Sequence, residues 1–158
     1  MILSELFTPG RIKVRLEADD KPEVFEELVD LLVNSYRLNM RDQILEAIRR
    51  REEKMSTGIK KGIAIPHAKT TGVKGVLGVM GISEAGIDYD SLDGEPVHVL
   101  FLLVSAEDAA GLHLRVLKNI ALLVENPDFY ASIQKAADPD SAHQTIRKFE
   151  EILASQDG

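Results

Sequence analysis

The chain has 158 residues, 44% of them apolar and 28% charged, which suits one domain with a sizeable core. Its formal net charge of −7, from 19 basic and 26 acidic residues, argues against nucleic acid as a partner. With no cysteine it has no disulfides, no thiolate chemistry and no cysteine-ligated metal.

No run approaches the ~18 apolar residues of a membrane span, so no direct membrane insertion is expected. The start MILSELFTPGR lacks the pattern of a signal peptide, and a cytoplasmic protein is expected. Residues 10–18, GRIKVRLEA, alternate apolar Ile12, Val14 and Leu16 with charged neighbours, the period of a half-buried strand. Asp20 and Pro22 then signal a helix start, and Val24, Phe25, Leu28, Leu31 and Leu32 follow at helical spacing. A second helix begins near Asp42, with Ile44, Leu45, Ala47 and Ile48 as its stripe, and ends in the charged run Arg49 to Lys54.

The pattern then changes. Ser56-Thr57-Gly58 and Gly62 are loop residues, and Gly62 to Ile65 reads as a short apolar strand. Pro66 lacks a backbone donor and fits a strand end; it also holds Ile65 extended. His67 therefore sits where a strand gives way to a loop. Val73 to Ile82 reads as a strand and Gly86 to Pro96 as a turn-rich connection. Val97 to Val104 is apolar on both faces apart from His98, as in a central strand covered on both sides. Leu112 to Val124 forms a helix and Pro127 to Ala137 a shorter one. A last helix starts at Asp140-Ser141, where Ser141 and Gln144 have capping-box spacing, and carries Ile146, Phe149, Ile152 and Leu153 as its stripe. The polar tail 154–158 is expected to fray.

The expected order is strand, two helices, three strands, three helices. Apolar helical stripes need a sheet to cover, and a covered strand needs helices on both faces. The fold class is therefore α/β, a three-layer α/β/α single domain over residues 1–158 around a mixed sheet.

The histidines are His67, His98, His113 and His143. His143, among polar residues, reads as a solvated surface group, and His98 as a satisfied structural one. His113, near the start of a helix, reads by itself as structural. His67 follows Pro66 at a strand end, where ligand chemistry in α/β sheets concentrates. No two histidines are closely spaced, so zinc is not expected. The spacing of a nucleotide-binding P-loop is absent. The basic clusters Arg49-Arg50-Arg51 and Lys60-Lys61 are too short for a nucleic-acid surface but suffice for a local basic spot.

The stretch Arg51-Glu52-Glu53-Lys54-Met55-Ser56-Thr57-Gly58-Ile59, followed by Gly62-Ile63-Ala64-Ile65-Pro66-His67-Ala68-Lys69, closely resembles the active-site signature of the enzyme IIA family of the bacterial phosphotransferase system. The branch is the one holding fructose- and mannitol-type (type 2) and nitrogen-regulatory members. Leu92-Asp93-Gly94-Glu95-Pro96-Val97 and Leu100-Phe101-Leu102-Leu103 are also similar to the family's pattern.

The resemblance implies that His67 is phosphorylated, on Nε2, as a component of protein-histidine phosphoryl transfer. It further implies that Arg51 and His113 match the family's arginine and second histidine. Arg51 is then a planar fork of donors for phosphoryl oxygens, although a helix-end cation is the plain alternative. Thr57 is a candidate phosphate contact and equally a turn or cap residue. The implied donor is an HPr-like phosphocarrier. The implied acceptor is an enzyme IIB in sugar uptake or, in the nitrogen-regulatory branch, a regulatory target protein. Such partners ask for a fairly flat active face with an apolar rim. No metal, nucleotide or other cofactor is implied. A neutral imidazole suits the role, because its unperturbed pKa of about 6.5 leaves a nucleophilic nitrogen near pH 7.

Overall fold

The computed structural model describes residues 2–157. Helix α1 (Ile2–Leu6) and a single 3-10 turn (Pro9–Arg11) lead into strand β1 (Ile12–Lys13). Helices α2 (Lys21–Tyr36) and α3 (Arg41–Lys54) follow, then short strands β2 (Gly58–Lys60), β3 (Ile63–Ala64) and β4 (His67–Thr70). The long strands β5 (Val76–Ile87) and β6 (Val97–Ala106) precede helices α4 (Ala110–Val124), α5 (Pro127–Gln134) and α6 (Pro139–Asp157). The strands form one six-stranded mixed sheet in the order β1-β5-β6-β3-β2, with β4 also paired to β6.

Strand β6 is its axis. Strand β5 runs antiparallel along one edge, with Gly78 opposite Leu103. β3 and β4 run parallel along the other, with Ala64 opposite Leu100 and His67 opposite Leu103. Every residue of β6 except His98 is buried. The period of two sorts its side chains into two cores. Val99, Phe101 and Leu103 join α1, α4, α5 and α6 on one face. Leu100, Leu102 and Val104 join α2 and α3 on the other. The three-layer α/β/α arrangement around a mixed sheet follows from that division.

Local signals set the elements near the site. Asp20 caps α2 by accepting the Glu23 N–H at 3.0 Å, and Arg37, at φ 56°, ends the helix in the left-handed region. The apolar stripe of α3 is Ile44, Leu45 and Ile48, and the helix stops where Met55 becomes extended. Between α3 and β3 the chain passes Gly58, where a Cβ would lie 2.5 Å from the Ser91 Cβ. It then passes Gly62, at φ +86°, whose carbonyl accepts the N–H groups of both His98 and Val99.

Several sequence expectations change in detail. The strand expected over 10–18 shrinks to Ile12–Lys13, because a 3-10 turn precedes it and Arg15, at φ 60°, turns the chain away. The strand expected from Val73 begins only after Gly75, at φ 64°, and runs on to Ile87. The segments α1, β2 and β4 were not expected. Residues 139–157 are helical to the described end of the chain, so the tail does not fray over residues 154–157; Gly158 lies outside the described residues. The cap of α6 is Asp138, which accepts the Ser141 N–H at 2.8 Å, so the Ser141–Gln144 spacing is not the cap. No helix among the described residues is long and apolar enough to cross a membrane.

Candidate active site

The backbone around Pro66 decides where His67 points. β3 and β4 keep one register against β6, and the Pro66 carbonyl accepts the Leu103 N–H at 3.0 Å between them. Ile65 turns its N–H the other way, to the Thr57 carbonyl at 3.0 Å. Ala64 and Ala68 therefore face α2 and α3, and His67 faces α4. There its ring meets His113, with centroids 5.4 Å apart and planes at 56°. His113 lies in the first turn of α4, its N–H donating to the Ala109 carbonyl.

The His67 Nδ1 lies 2.6 Å from the Ile65 carbonyl oxygen. A carbonyl only accepts, so Nδ1 carries the proton and Nε2 the lone pair. Nε2 has no protein partner, and no buried side-chain polar atom among the described residues is unpartnered. It therefore opens onto solvent. His113 is 5% exposed and places its Nδ1 2.7 Å from the Ser105 Oγ. By the same argument its Nε2 also reaches solvent.

Both rings have lowered pKa values, which favours the neutral form. Burial lowers the His67 pKa, and Arg51 adds to it against the opposing pull of the Ile65 carbonyl and Glu52. Burial, helped by His67 and Lys69, pushes His113 down to about 4.

The two rings open into a cavity of about 490 Å³ whose charged lining is Arg50, Arg51, Lys54 and Lys69, with Leu114 and Leu117 beside them. No carboxylate lines it. On a chain of net charge −7, this is a local site for an anion. A larger cavity of about 660 Å³ is lined by Glu17, Glu23, Glu27 and Asp30 against a single cation, Lys13, and holds no histidine, so its net negative charge disfavours an anion. Arg51 donates from Nη1 to the Met55 carbonyl at 3.0 Å. That bond turns the guanidinium across the end of α3 and leaves the rest of the fork without a hydrogen-bond partner among the described residues. Arg50, from the basic cluster Arg49-Arg50-Arg51, pairs with Glu46 at 2.9 Å and also lines the cavity. Lys61 is not in the lining, and the Lys60 side chain lies outside the described residues.

Residues 5–149 match the family described as the phosphoenolpyruvate-dependent sugar phosphotransferase system, EIIA 2. The chain belongs to this family. As an EIIA 2 member it is a phosphocarrier of that system. It is similar to the fructose-specific EIIABC component of Bacillus subtilis, 37% identical over 148 residues. Those residues are 94% of this chain but only 23% of the B. subtilis protein, so the chain spans about a quarter of that relative's length. It is similar also to the nitrogen regulatory protein of Pseudomonas aeruginosa, 31% identical over 144 residues, 91% of this chain and 94% of that one. Among solved structures it resembles the nitrogen regulatory protein IIA-Ntr of Neisseria meningitidis, with a TM-score of 0.85 and 28% identity. That match covers 92% of this chain and 99% of the other.

The structure brings His67, His113 and Arg51 of this EIIA 2 chain to one cavity, but not Thr57. Thr57 is 4% exposed and absent from the lining. Its hydroxyl lies 2.5 Å from the Glu52 Oε1 and 2.7 Å from the Tyr89 hydroxyl, and its N–H donates to the Glu52 Oε2 at 2.8 Å. Of its two sequence readings, this geometry gives the turn-holding one. Glu52, which the sequence reading did not single out, is the hub of that network and also pairs with Lys21 at 3.0 Å. Burial pushes its carboxyl pKa up, but the hydrogen bonds from Thr57 and the Lys21 ammonium outweigh burial and hold it below the usual range. Its signal was its place beside Arg51, at the helix end, facing the core.

His98 is a satisfied structural histidine, its Nδ1 2.9 Å from the Ser83 carbonyl. His143 is not a purely solvated group: its Nε2 donates to the Ser4 carbonyl at 2.9 Å, tying α6 to α1. Among the described residues no group of three or more His, Cys, Asp or Glu side chains is placed to hold a metal ion.

Proposed function

We propose that His67 is the residue that carries the phosphoryl group. In this reading it accepts the group from an HPr-like phosphohistidine protein and passes it to an enzyme IIB in sugar uptake. One observation supports it above the others. The His67 Nδ1 proton is committed to the Ile65 carbonyl at 2.6 Å, so the Nε2 lone pair faces a cavity lined by Arg50, Arg51, Lys54 and Lys69.

The step is a simple displacement. The Nε2 lone pair attacks phosphorus, and a new N–P bond forms. The N–P bond to the donor histidine breaks, and its electron pair returns to the donor nitrogen. Positive charge develops on the His67 ring, and the Ile65 carbonyl oxygen stabilises it through the retained Nδ1 proton. Phosphoryl transfer asks a protein mainly for positioning and for cationic donors on the equatorial oxygens. The unpaired part of the Arg51 fork and the Lys54 and Lys69 ammoniums are such donors. The acceptor's nucleophile then attacks the same phosphorus in the reverse sense. Leu114, 65% exposed at the cavity edge, supplies apolar surface for docking protein partners. The whole chain, residues 1–158, acts as one cytoplasmic carrier domain in this reading, without a nucleotide.

A second reading, as a nitrogen-regulatory EIIA, has support in the likeness to the P. aeruginosa and N. meningitidis proteins. The chemistry at His67 is then the same, but the output is binding to a target protein. A phosphoryl group would add negative charge to a cationic face and change its affinity.

The test is incubation of the purified protein with enzyme I, HPr and phosphoenolpyruvate, read by intact mass, with His67→Ala beside it. One acid-labile phosphate that vanishes in the variant supports the carrier reading. A phosphate retained in the variant overturns the assignment of His67. Phosphorylated protein that passes its group to no enzyme IIB, while binding a target in a phosphate-dependent way, selects the second reading.

A further inference from the structure

Ser105 is a hydroxyl in a place where packing calls for a methyl. It stands on β6 on the face of Phe101 and Leu103, both core residues, and is 0% exposed. It lies directly opposite Lys69 of β4, two residues beyond His67. Its hydroxyl has one hydrogen-bond partner among the described residues, the Nδ1 of His113 at 2.7 Å.

A neutral imidazole carries one N–H, so this contact has two possible forms. If Nδ1 held the proton, it would donate to the Ser105 oxygen, and the serine's own hydrogen would be left buried with no acceptor. If the serine donates, both groups are satisfied by the same bond. Leaving a buried donor unmet is penalised, so the second form is favoured. The His113 proton then resides on Nε2, the nitrogen that opens onto the cavity beside His67.

We propose that Ser105 is a positioning residue for phosphoryl transfer: by donating to His113 Nδ1 it fixes His113 as an Nε2–H donor aimed at the phosphoryl oxygens on His67. The opposite tautomer would present a lone pair to an anion and repel it. The inference rests on the reading of His67 as the phosphorylated residue. It gives His113 a defined role as a neutral donor, in contrast to the cationic Arg51. Burial and the neighbouring His67 and Lys69 support this, because they keep His113 uncharged near pH 7. The arrangement resembles the use of a second group to set the tautomer of a functional histidine.

The test uses the whole unphosphorylated protein labelled with 15N-histidine, and compares wild type, Ser105→Ala and Ser105→Thr. The ring nitrogens of His113 report the tautomer directly. The wild type and Ser105→Thr should show a protonated Nε2 and a bare Nδ1. Ser105→Ala should lose that preference. In parallel, the rate of phosphoryl uptake by His67 from HPr should fall roughly 10- to 100-fold in Ser105→Ala, up to the lower end of the range for outright loss of a transition-state donor because the donor ring itself remains, and recover in Ser105→Thr. A bare Nε2 on His113 in the wild type overturns the proposal by itself, even if Ser105→Ala fails to fold. Wild-type tautomer and uptake within twofold in Ser105→Ala overturn it as well. A wild type that takes up no phosphate on His67 would instead fail the reading of the site, since the tautomer is measured without any phosphate present.

Discussion

The imidazole of His67 donates its Nδ1 proton to the carbonyl of Ile65, two residues earlier in the same chain, over 2.6 Å. Pro66 makes this possible. It holds Ile65 extended, so that the Ile65 N–H turns to the Thr57 carbonyl at 3.0 Å while the Ile65 carbonyl accepts from the ring. One local bond thus sets the tautomer, aims Nε2 at the cavity and supplies a counter-dipole for the charge that transfer creates. His67→Ala should therefore take up no phosphate while keeping the fold, since the half-buried ring at the start of β4 lies outside both cores. Intact mass and circular dichroism on the same sample check both halves.

Arg51→Lys tests the guanidinium fork. A lysine keeps the charge but cannot bond the Met55 carbonyl and a phosphoryl oxygen in one plane. Uptake by His67 should slow by about 10- to 100-fold, the worth of one or two charge-assisted hydrogen bonds. Stopped-flow or quenched transfer from HPr measures it. Wild-type rates would leave Arg51 a helix-end cation.

Thr57→Val separates a turn-holding residue from a phosphate contact. The hydroxyl is buried against Glu52 and Tyr89, so its loss should cost about 1–3 kcal/mol in urea unfolding. Uptake by His67 should stay within about twofold. Glu52→Ala should destabilise more than Thr57→Val, because it strips the Thr57 N–H, the Lys21 ammonium and the Tyr89 hydroxyl of their shared acceptor.

Stability should fall on acidification in a defined window. An unfolded histidine titrates near 6.5, whereas His113 in the folded protein is held down to about 4. Between those values the unfolded chain binds the extra proton, so unfolding free energy rises with pH there and is lost as pH falls from about 6.5 to 4. His67, also lowered, acts in the same direction. The depressed Glu52 carboxyl extends the loss below its ordinary value of 4.5. Urea midpoints measured from pH 7.5 to 4 should follow this course, and His113→Gln should flatten the slope above pH 4.5. An unchanged slope in that variant would show that His113 is not the group being charged.

His113→Ala should slow uptake more than it weakens the fold. The ring touches the site and bonds Ser105, while α4 keeps its core stripe of Val116, Ile120 and Leu123. Transfer kinetics beside a thermal melt check the comparison. Unchanged kinetics would remove His113 from the site.

What the sequence determined by itself was whatever short-range periodicity and local chemistry carry. The stripes of α2, α3 and α4, the two-faced burial of β6, and the Pro66-His67 step are all written in neighbouring residues. The motif from Arg51 to Lys69 contains three of the four candidate site residues, of which Arg51 and His67 line the cavity and Thr57 does not. What remained depended on contacts far apart in the chain. Helix α1 is five residues long, too short to show a period, and is held by Glu150, which accepts the N–H groups of Leu3 and Ser4 at 2.8 Å. β3 and β4 prove to be one broken strand only because β6 supplies a continuous row of partners. The fate of Thr57 was decided by Tyr89, 32 residues away, and the lowered pKa of His113 by burial and by the neighbouring His67 and Lys69. Only the tertiary structure could settle those points, because a hydroxyl or an imidazole takes its role from which partner reaches it first, and the partners here come from other strands and helices.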